Sequence, residues 1–294
     1  GLDAGFEHYD DDGIDTVVGR LAQEVTDQAI EWITRHRSQP QFLFLNYYDP
    51  HGPYTPPEPF ASQFLDADQR SDDPQDPELI RAMYDGEIAY MDHHIGRLFA
   101  EIRRLGLWNE TWVIVTADHG ELLGERGRFG HGHYLTEPEL RIPMIVKHPG
   151  ARGARVDEAT PVQLTDILPM IAERLDLPVP DDVQGAFPPD VTHPVAAEVY
   201  PLPFTSPDGD WRAIYVGSTK FVWNSLGRHE LFDLDTDPDE SANLVGTRPA
   251  VAEQRLVELQ LFFDGLPPAP DSQVEETTVD PETIEAHKGL GYIN

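Results

Sequence analysis

The feature that most constrains the fold is an apolar run at residues 111–120 that ends in Asp118-His119-Gly120. A run of this kind between Gly106 and Gly120 is typical of an inner strand of a parallel sheet, covered on both faces. Open α/β sheets bind ligands at the carboxyl ends of their strands, and Asp118 and His119 occupy that position here. A carboxylate beside an imidazole supplies half of a site for a divalent metal or a phosphate-type anion.

The rest of the first two thirds of the chain alternates between helical and strand patterns. Helices are predicted at residues 15–36, 84–105 and 164–176, and further strands at 41–48 and 142–147. Apolar residues at helical spacing predict the buried face of the second helix: Ile88, Met91, Ile95, Leu98, Ile102 and Leu105. Strands that alternate with helices predict an α/β domain with a mainly parallel sheet sandwiched by helices.

The pattern changes after a proline-rich stretch. Short strands separated by tight turns are predicted at residues 211–217, 220–224 and 230–234, and an amphipathic helix at 249–263. This indicates a smaller C-terminal α+β module of antiparallel strands and a helix. The predicted organisation is an α/β domain at residues 1–190, the C-terminal module at 191–268 and a polar acidic tail at 269–294.

The charge of the chain is strongly negative. There are 53 acidic against 21 basic residues, a formal net charge of −32, and the acids are spread along the sequence. An acidic disordered segment would have such a charge, but here the acids are interleaved with regular apolar periodicity. A haloadapted protein, whose surface carboxylates are screened by high salt, fits better.

The same composition excludes several classes of partner and site. Nucleic acid and anionic membranes are disfavoured as main partners, and no apolar run is long enough for a transmembrane helix. The absence of cysteine excludes disulfides, thiolate metal sites and a cysteine-derived nucleophile within these residues. The cytoplasm of a high-salt organism is the favoured location, although the sequence leaves an amino-terminal signal open, as it does the oligomeric state.

Four histidines and one aspartate are the candidates for chemistry. His51 follows one predicted strand and Asp118-His119 another, so these side chains converge if the two strands are neighbours. Asp118 offers a hard oxygen ligand, and His119 is either a second ligand or a hydrogen-bond donor to an oxyanion. His131 and His133 lie on a glycine-rich loop and could return to the site as a general acid.

Structural interpretations compete with these roles. A lone Asp-His pair is more often structural than functional, and a histidine beside proline often only packs a turn. Asp49 and Glu121 could be caps, surface residues or groups that support the site from behind. His93 and His94 are interpreted as structural.

Taken together, the motifs resemble those of the sulfatase branch of the alkaline phosphatase superfamily. The segment Phe-Leu-Phe-Leu-Asn-Tyr-Tyr-Asp-Pro-His-Gly-Pro-Tyr-Thr-Pro-Pro resembles the sulfatase strand followed by "PHxPYxPP". The helix at 84–107 and the Asp-His-Gly-Glu turn resemble their sulfatase counterparts in the same order. Further similar segments follow at residues 140–150, 163–171, 230–244 and 287–293.

The resemblance implies a role for each candidate. Asp118 and His119 would bind the divalent cation, usually Ca²⁺ in sulfatases, with Mn²⁺ or Zn²⁺ as alternatives. His51 would contact the sulfate or the leaving-group oxygen. His131 stands where many sulfatases have a lysine, and this departure leaves the choice between sulfate and phosphate esters open; His133, Asp49 and Glu121 are candidates for supporting or substrate-contacting positions.

The chain also departs from the family pattern by what it lacks. Sulfatases carry an earlier paired-aspartate metal motif and a Cys-x-Pro-x-Arg-type nucleophile sequence, and neither is present. We therefore expect an amino-terminally incomplete sulfatase-like hydrolase, inactive alone; a naturally short relative is the alternative. The expected substrate is a small-molecule or carbohydrate sulfate ester. The competing functions are a phosphodiester or phosphonate monoester hydrolase or phosphotransferase, and a non-catalytic binding or scaffold protein.

Overall fold

Two long helices form the first core of the protein. The computed structural model describes residues 3–12, 19–65, 73, 75–132, 134–154, 161–187, 194–199 and 209–266. Helix α1 (Ala22–His36) packs against helix α2 (Pro77–Arg104). The shared core consists of Ala29, Ile33, Leu98 and Ile102, with Leu43 and Leu45 packed against it.

Helix α2 is longer than the sequence pattern predicts. Asp76 caps it by accepting a hydrogen bond from the backbone N–H of Glu78, and Pro77 occupies its first position, so it begins seven residues before the predicted start. The predicted apolar face is confirmed at Leu98 and Ile102, but Ile88 is exposed. Between residues 86 and 94, the face that packs against the rest of the protein instead buries Gly86, Glu87, Tyr90 and His94.

The strand that leads to the Asp-His-Gly turn is confirmed, but its pairing differs from the prediction. Strand β1 (Val113–Thr116) pairs antiparallel with β4 (Met144–Lys147). Strands β2 (Leu122–Leu123) and β3 (Phe129–Gly130) also form an antiparallel pair, separated by a 3₁₀ turn at Glu125–Gly127. Every strand pair among the described residues is antiparallel, so the predicted mainly parallel sheet is not found there. Apolar periodicity indicates burial and carries no information on strand direction, which explains the difference.

Residues 41–48 are extended, as predicted, but belong to none of the sheets in the described ranges. Their side chains alternate as in a strand. Leu43 and Leu45 pack against the two helices, whereas Phe42 and Phe44 are 64% and 74% exposed. This segment ends at Asp49, just before the loop that carries His51.

The three strands and the helix predicted for the C-terminal part are confirmed, and one further strand precedes them. Strands β5 (Val195–Val199), β6 (Trp211–Val216), β7 (Thr219–Asn224) and β8 (Glu230–Asp233) form an antiparallel meander. One face is covered by α5 (Pro249–Asp264), which packs Ala252 and Leu259 against Ile214, Phe221 and Leu231.

Two short helices connect these parts. Helix α3 (Glu137–Leu140) precedes β4, and a 3₁₀ turn at Leu164–Asp166 leads into α4 (Ile167–Arg174), where helix is predicted. The predicted domain boundary at 190/191 and the acidic tail at 269–294 lie outside the described residues. Across the ranges that the structure covers, no helix has the length and apolarity needed to cross a membrane.

Candidate active site

The Asp-His-Gly turn is held in place by the backbone of α3. Gly120 donates its N–H to the carbonyl of Glu139 at 2.8 Å, and Glu121 donates to the carbonyl of Pro138 at 3.0 Å. A Cβ at Gly120 would lie 2.0 Å from the carbonyl oxygen of Pro138, so only glycine allows this approach. The turn therefore leaves β1 in a fixed direction and presents Asp118 and His119 at the strand's end.

Three of the candidate histidines lie together at this turn. The ring centroids of His119 and His131 are 4.2 Å apart, and those of His51 and His131 are 5.6 Å apart. His131 is buried, and His51 and His119 are partly buried. The loops after two separate extended segments and the glycine-rich loop thus meet at one place.

Each of these imidazoles is anchored through Nδ1. The Nδ1 of His51 lies 2.8 Å from the carbonyl of Gly52, and that of His119 lies 2.8 Å from the carbonyl of Gly120. A carbonyl only accepts, so in both rings Nδ1 carries the proton and donates it. In the neutral form, Nε2 is then the acceptor nitrogen, the atom through which a histidine binds a metal or exchanges a proton with substrate.

His131 differs from the other two because its anchor is a carboxylate. Its Nδ1 donates to Glu121, with Nδ1–Oε2 at 3.1 Å, and both side chains are nearly fully buried. The Tyr54 hydroxyl donates to the same carboxylate. Burial first, and then the negative charge of Glu121, raise the pKa of Tyr54 well above its usual range, so this hydroxyl stays protonated.

The ring of His51 is held by the Gly52 carbonyl and by Tyr48. Its ring stacks on Tyr48 at 4.5 Å, and the Tyr48 hydroxyl oxygen lies 3.0 Å from Nδ1. Burial is the largest cause that lowers the pKa of His51, and neighbouring His131 adds to it. His51 is therefore neutral near pH 7.

Asp118 is the most exposed member of the group. Its side chain is 88% exposed, and one oxygen accepts the backbone N–H of His119 at 3.0 Å. The second oxygen lies 3.9 Å from Nε2 of His119. An exposed carboxylate beside an imidazole offers two ligands of the kinds that divalent cations accept.

The remaining sequence candidates have other surroundings. Asp49 is buried and accepts the backbone N–H of Ala22 at 2.7 Å, so its observed contact is with the start of α1. Burial raises the pKa of Asp49. His133 lies outside the described residues. His94 is buried against Tyr90, and its nearest polar contact is Arg97, which agrees with the structural interpretation.

Two buried glutamates support the site, and the sequence analysis missed both. Glu87 of α2 accepts the backbone N–H groups of His51 and Thr55. Glu139 of α3 accepts the N–H of Gly132 at 3.1 Å and the hydroxyl of Thr136 at 2.8 Å. The sequence did contain one indication for Glu87, because it is an acidic residue next to the apolar face of a long helix. No sequence pattern pointed to Glu139.

The C-terminal module reaches the site through α3. Lys220 of β7 is fully buried and binds Glu137 at 2.9 Å and Glu240 at 2.7 Å. Glu240 also accepts the backbone N–H of Glu137, and the Tyr215 hydroxyl donates to the Glu137 side chain. This buried network fixes the first residue of the helix whose carbonyls hold the Asp-His-Gly turn.

Comparison with known proteins identifies the family. The family model described as Sulfatase matches residues 3–177, more than half of the chain. The chain belongs to the sulfatase family. All seven candidate residues fall inside the matched range, whereas β5 to β8 and α5 of the C-terminal module lie beyond it.

Individual relatives within this family are distant. An arylsulfatase of Clostridium perfringens is 25% identical over 258 residues, which cover 76% of this chain and 53% of the arylsulfatase. The chain spans about half the length of the curated relatives it matches.

Solved structures show the same alkaline phosphatase-like fold. A phosphonate monoester hydrolase from Silicibacter pomeroyi superimposes with a TM-score of 0.67 at 21% identity, covering 88% of this chain and 65% of the other. A protein solved with its substrate D-glucosamine-2-N,6-O-disulfate gives 0.65 at 19% identity, covering 84% and 69%.

Sulfatase family members generally use a divalent metal, and the described residues supply only part of a donor set for one. Asp118 and His119 have suitable chemistry, but the described part of the chain contains no group of three or more His, Asp or Glu residues arranged to hold an ion. Calcium takes six to eight oxygen ligands. Two residues alone do not hold such an ion.

Proposed function

We propose that the protein hydrolyses sulfate monoesters of a small molecule or a carbohydrate. The observation that carries the proposal is the meeting of His51, His119 and His131 at the Asp-His-Gly turn, each anchored through Nδ1. Membership of the sulfatase family and similarity to a named arylsulfatase support the choice of sulfate.

His131 is the proposed general acid. When the C–O–S ester breaks at sulfur, the leaving oxygen needs a proton, and Nε2 of a protonated His131 donates it. Nδ1 keeps its proton throughout because it is hydrogen-bonded to Glu121. The ring is then neutral, with its proton on the nitrogen that faces the carboxylate.

His51 is proposed to contact the substrate as a neutral ring. Since burial lowers its pKa, its Nε2 accepts a hydrogen bond or proton near neutral pH rather than donating one. This separates its role from that of His131, whose Nδ1 donates a hydrogen bond to the Glu121 carboxylate.

Asp118 and His119 are proposed to contribute two ligands to a divalent cation site, with Ca²⁺ favoured over Mn²⁺ or Zn²⁺. Such an ion would stabilise negative charge on the sulfate oxygens. The high exposure of Asp118 leaves its carboxylate accessible to further ligands.

The nucleophile is not among the residues assigned here. The 294 residues contain no cysteine and so no cysteine-derived nucleophile. We therefore propose that these residues, expressed alone, have little or no turnover.

Hydrolysis of a phosphonate monoester or phosphodiester is the second candidate. It is favoured by His131, which stands where the sulfatase resemblance places a lysine, and by a 27% identical relative named as a multifunctional alkaline phosphatase superfamily protein. The third candidate is a non-catalytic binding or scaffold protein.

A substrate panel tests these alternatives. The protein, expressed from its complete open reading frame, is assayed with p-nitrophenyl sulfate, p-nitrophenyl phenylphosphonate and bis-p-nitrophenyl phosphate, with and without added Ca²⁺, Mn²⁺ or Zn²⁺. The highest kcat/KM is expected for the sulfate ester. A preference for either phosphorus ester would replace the proposal with the second candidate, and no turnover together with no calorimetric metal binding would favour the third.

A further inference from the structure

Glu87 binds the loop of His51 with both of its carboxylate oxygens. The Oε2 atom accepts the backbone N–H of His51 at 3.1 Å, and Oε1 accepts that of Thr55 at 2.7 Å. Glu87 is 5% exposed and lies in the middle of α2. One side chain thus ties the two ends of a five-residue loop to a 28-residue helix.

The loop lies directly on the helix at this point. A Cβ at Gly86 would come within 2.8 Å of the Pro56 side chain and 2.9 Å of the Phe60 carbonyl. The Tyr54 ring also packs edge-on against Tyr84 of the same helix, with centroids 5.4 Å apart. Backbone, ring and carboxylate contacts therefore all fix residues 51–56 against one turn of α2.

Packing alone does not account for a glutamate here. Within the described residues Glu87 forms no ion pair with a lysine or arginine, so its charge is buried without a cation partner. Such burial costs free energy, and an apolar side chain of similar size would avoid it. Desolvation is the largest effect on this group and raises its pKa to about 7. The two hydrogen bonds that the carboxylate accepts from the backbone offset part of this cost, and an apolar side chain could not form them.

We propose that Glu87 is a positioning residue that sets the place and orientation of the His51 imidazole through the backbone of residues 51–55. The inference rests on the proposed role of His51 at the substrate. Glu87 acts on the ring through few contacts. It fixes the backbone N–H of His51, and the ring of His51 is in turn held by the Gly52 carbonyl and by Tyr48. Glu87 itself touches neither substrate nor metal in this scheme.

The test uses Glu87→Gln, with Asp85→Asn as the matched control. Glutamine keeps the size of the side chain but has a single acceptor oxygen, so one of the two backbone N–H groups loses its partner. Asp85 lies two residues away on the exposed face of α2, and its variant makes the same change of charge.

Two readouts separate positioning from general stability. Nitrogen-15 NMR of labelled histidine reports which ring nitrogen of His51 carries the proton, and amide spectra report the hydrogen bonds of His51 and Thr55. In Glu87→Gln both amide resonances are expected to move, and the His51 ring to change from the Nδ1–H form to a mixture of tautomers. In the steady-state assay kcat is expected to fall by about 10²-fold with a much smaller change in KM.

The outcomes distinguish this inference from the proposed function. If the wild-type protein hydrolyses sulfate esters and Glu87→Gln has normal kcat and an unchanged His51 tautomer, the positioning role is refuted while the function stands. If the wild-type protein does not hydrolyse sulfate esters but Glu87→Gln still shows the NMR changes, the proposed function is refuted. The positioning of His51 by Glu87 is then supported. Should Glu87→Gln not fold, Glu87→Asp, which withdraws the carboxylate by one methylene, takes its place with the same expected changes.

Discussion

The Nδ1 of His131 donates a hydrogen bond to the carboxylate of Glu121 at 3.1 Å, and both side chains are almost fully buried. Glu121 lies three residues after the exposed Asp118, so one turn of chain combines an accessible carboxylate with an inaccessible one. The two acids therefore have different tasks: one is open to ligands and the other orients a ring.

Replacing Glu121 with glutamine is expected to lower kcat by about 10²-fold or more, in the range typical for loss of a general acid. The glutamine oxygen still accepts the Nδ1 proton, but the hydrogen bond is no longer assisted by the negative charge of a carboxylate. The measurement is the pH dependence of kcat/KM on p-nitrophenyl sulfate. The exposed Glu110→Gln is the control, and a Glu121 variant with wild-type kcat across the pH range would contradict the assignment of His131.

Asp118→Ala is expected to abolish activity and leave the fold intact. Since the side chain is 88% exposed, the free energy of unfolding should change by no more than about 0.5 kcal/mol. Calorimetric titration of Ca²⁺ into the complete protein should show weakened or lost binding. Near-normal turnover in this variant would overturn the ligand assignment.

Glu87 is expected to make stability depend on pH between about 4.5 and 7. Because its pKa rises from 4.5 to about 7 on folding, the folded state binds the proton more tightly. The stability gained from this group is full below pH 4.5 and is lost as pH rises through 7, by up to about 3 kcal/mol. Asp49, which faces Glu87 and also has a raised pKa, adds a slope of the same sign.

Denaturant unfolding at a series of pH values and constant KCl checks this expectation. Glu87→Gln should lose less stability than the wild type between pH 4.5 and 7, whereas Asp85→Asn should keep the wild-type slope. Parallel curves for the wild type and Glu87→Gln would show that Glu87 does not titrate in this window.

Lys220→Met is expected to destabilise the protein by about 3–5 kcal/mol, because it removes the buried ammonium that binds both Glu137 and Glu240 and leaves only Arg126, at 3.8 Å, near the Glu240 carboxylate. Arg35→Met, which breaks an exposed pair with Glu31, should cost no more than about 1 kcal/mol. Adding Glu240→Leu to Lys220→Met should recover part of the loss. Equal effects of the two single variants would mean that the buried network contributes no more than a surface pair.

The net charge of −32 is expected to make folding depend on salt. Dilution from molar KCl should unfold the protein as screening of the surface carboxylates is lost. Circular dichroism during dilution into sorbitol of equal osmolality separates screening from osmotic effects. Unchanged stability at low salt would refute haloadaptation.

The elements that the sequence predicted best are those specified by neighbouring residues. The strands β6, β7 and β8 follow from short apolar runs between tight turns, and α5 from its helical periodicity. The start of α2 was missed because the prediction placed it at residue 84, although Asp76-Pro77 is a helix-start signal.

Long-range relationships were harder to predict. The candidate histidines were found from their positions after strands and in a glycine-rich loop, but the antiparallel pairing of β1 with β4 was not. Glu87 and Glu139 act on backbone N–H groups of loops that approach them only in the folded chain. No local pattern specifies such a contact, so neither residue could be assigned a role from sequence alone.

The four residues of α3 have a consequence for how the site moves. The carbonyls of Pro138 and Glu139 hold the turn of His119, and the carboxylate of Glu139 holds Gly132, next to His131. Both loops are thus attached to one small unit. We therefore expect thermal motion to displace the two imidazoles together, so that the distance between them changes less than the position of either loop.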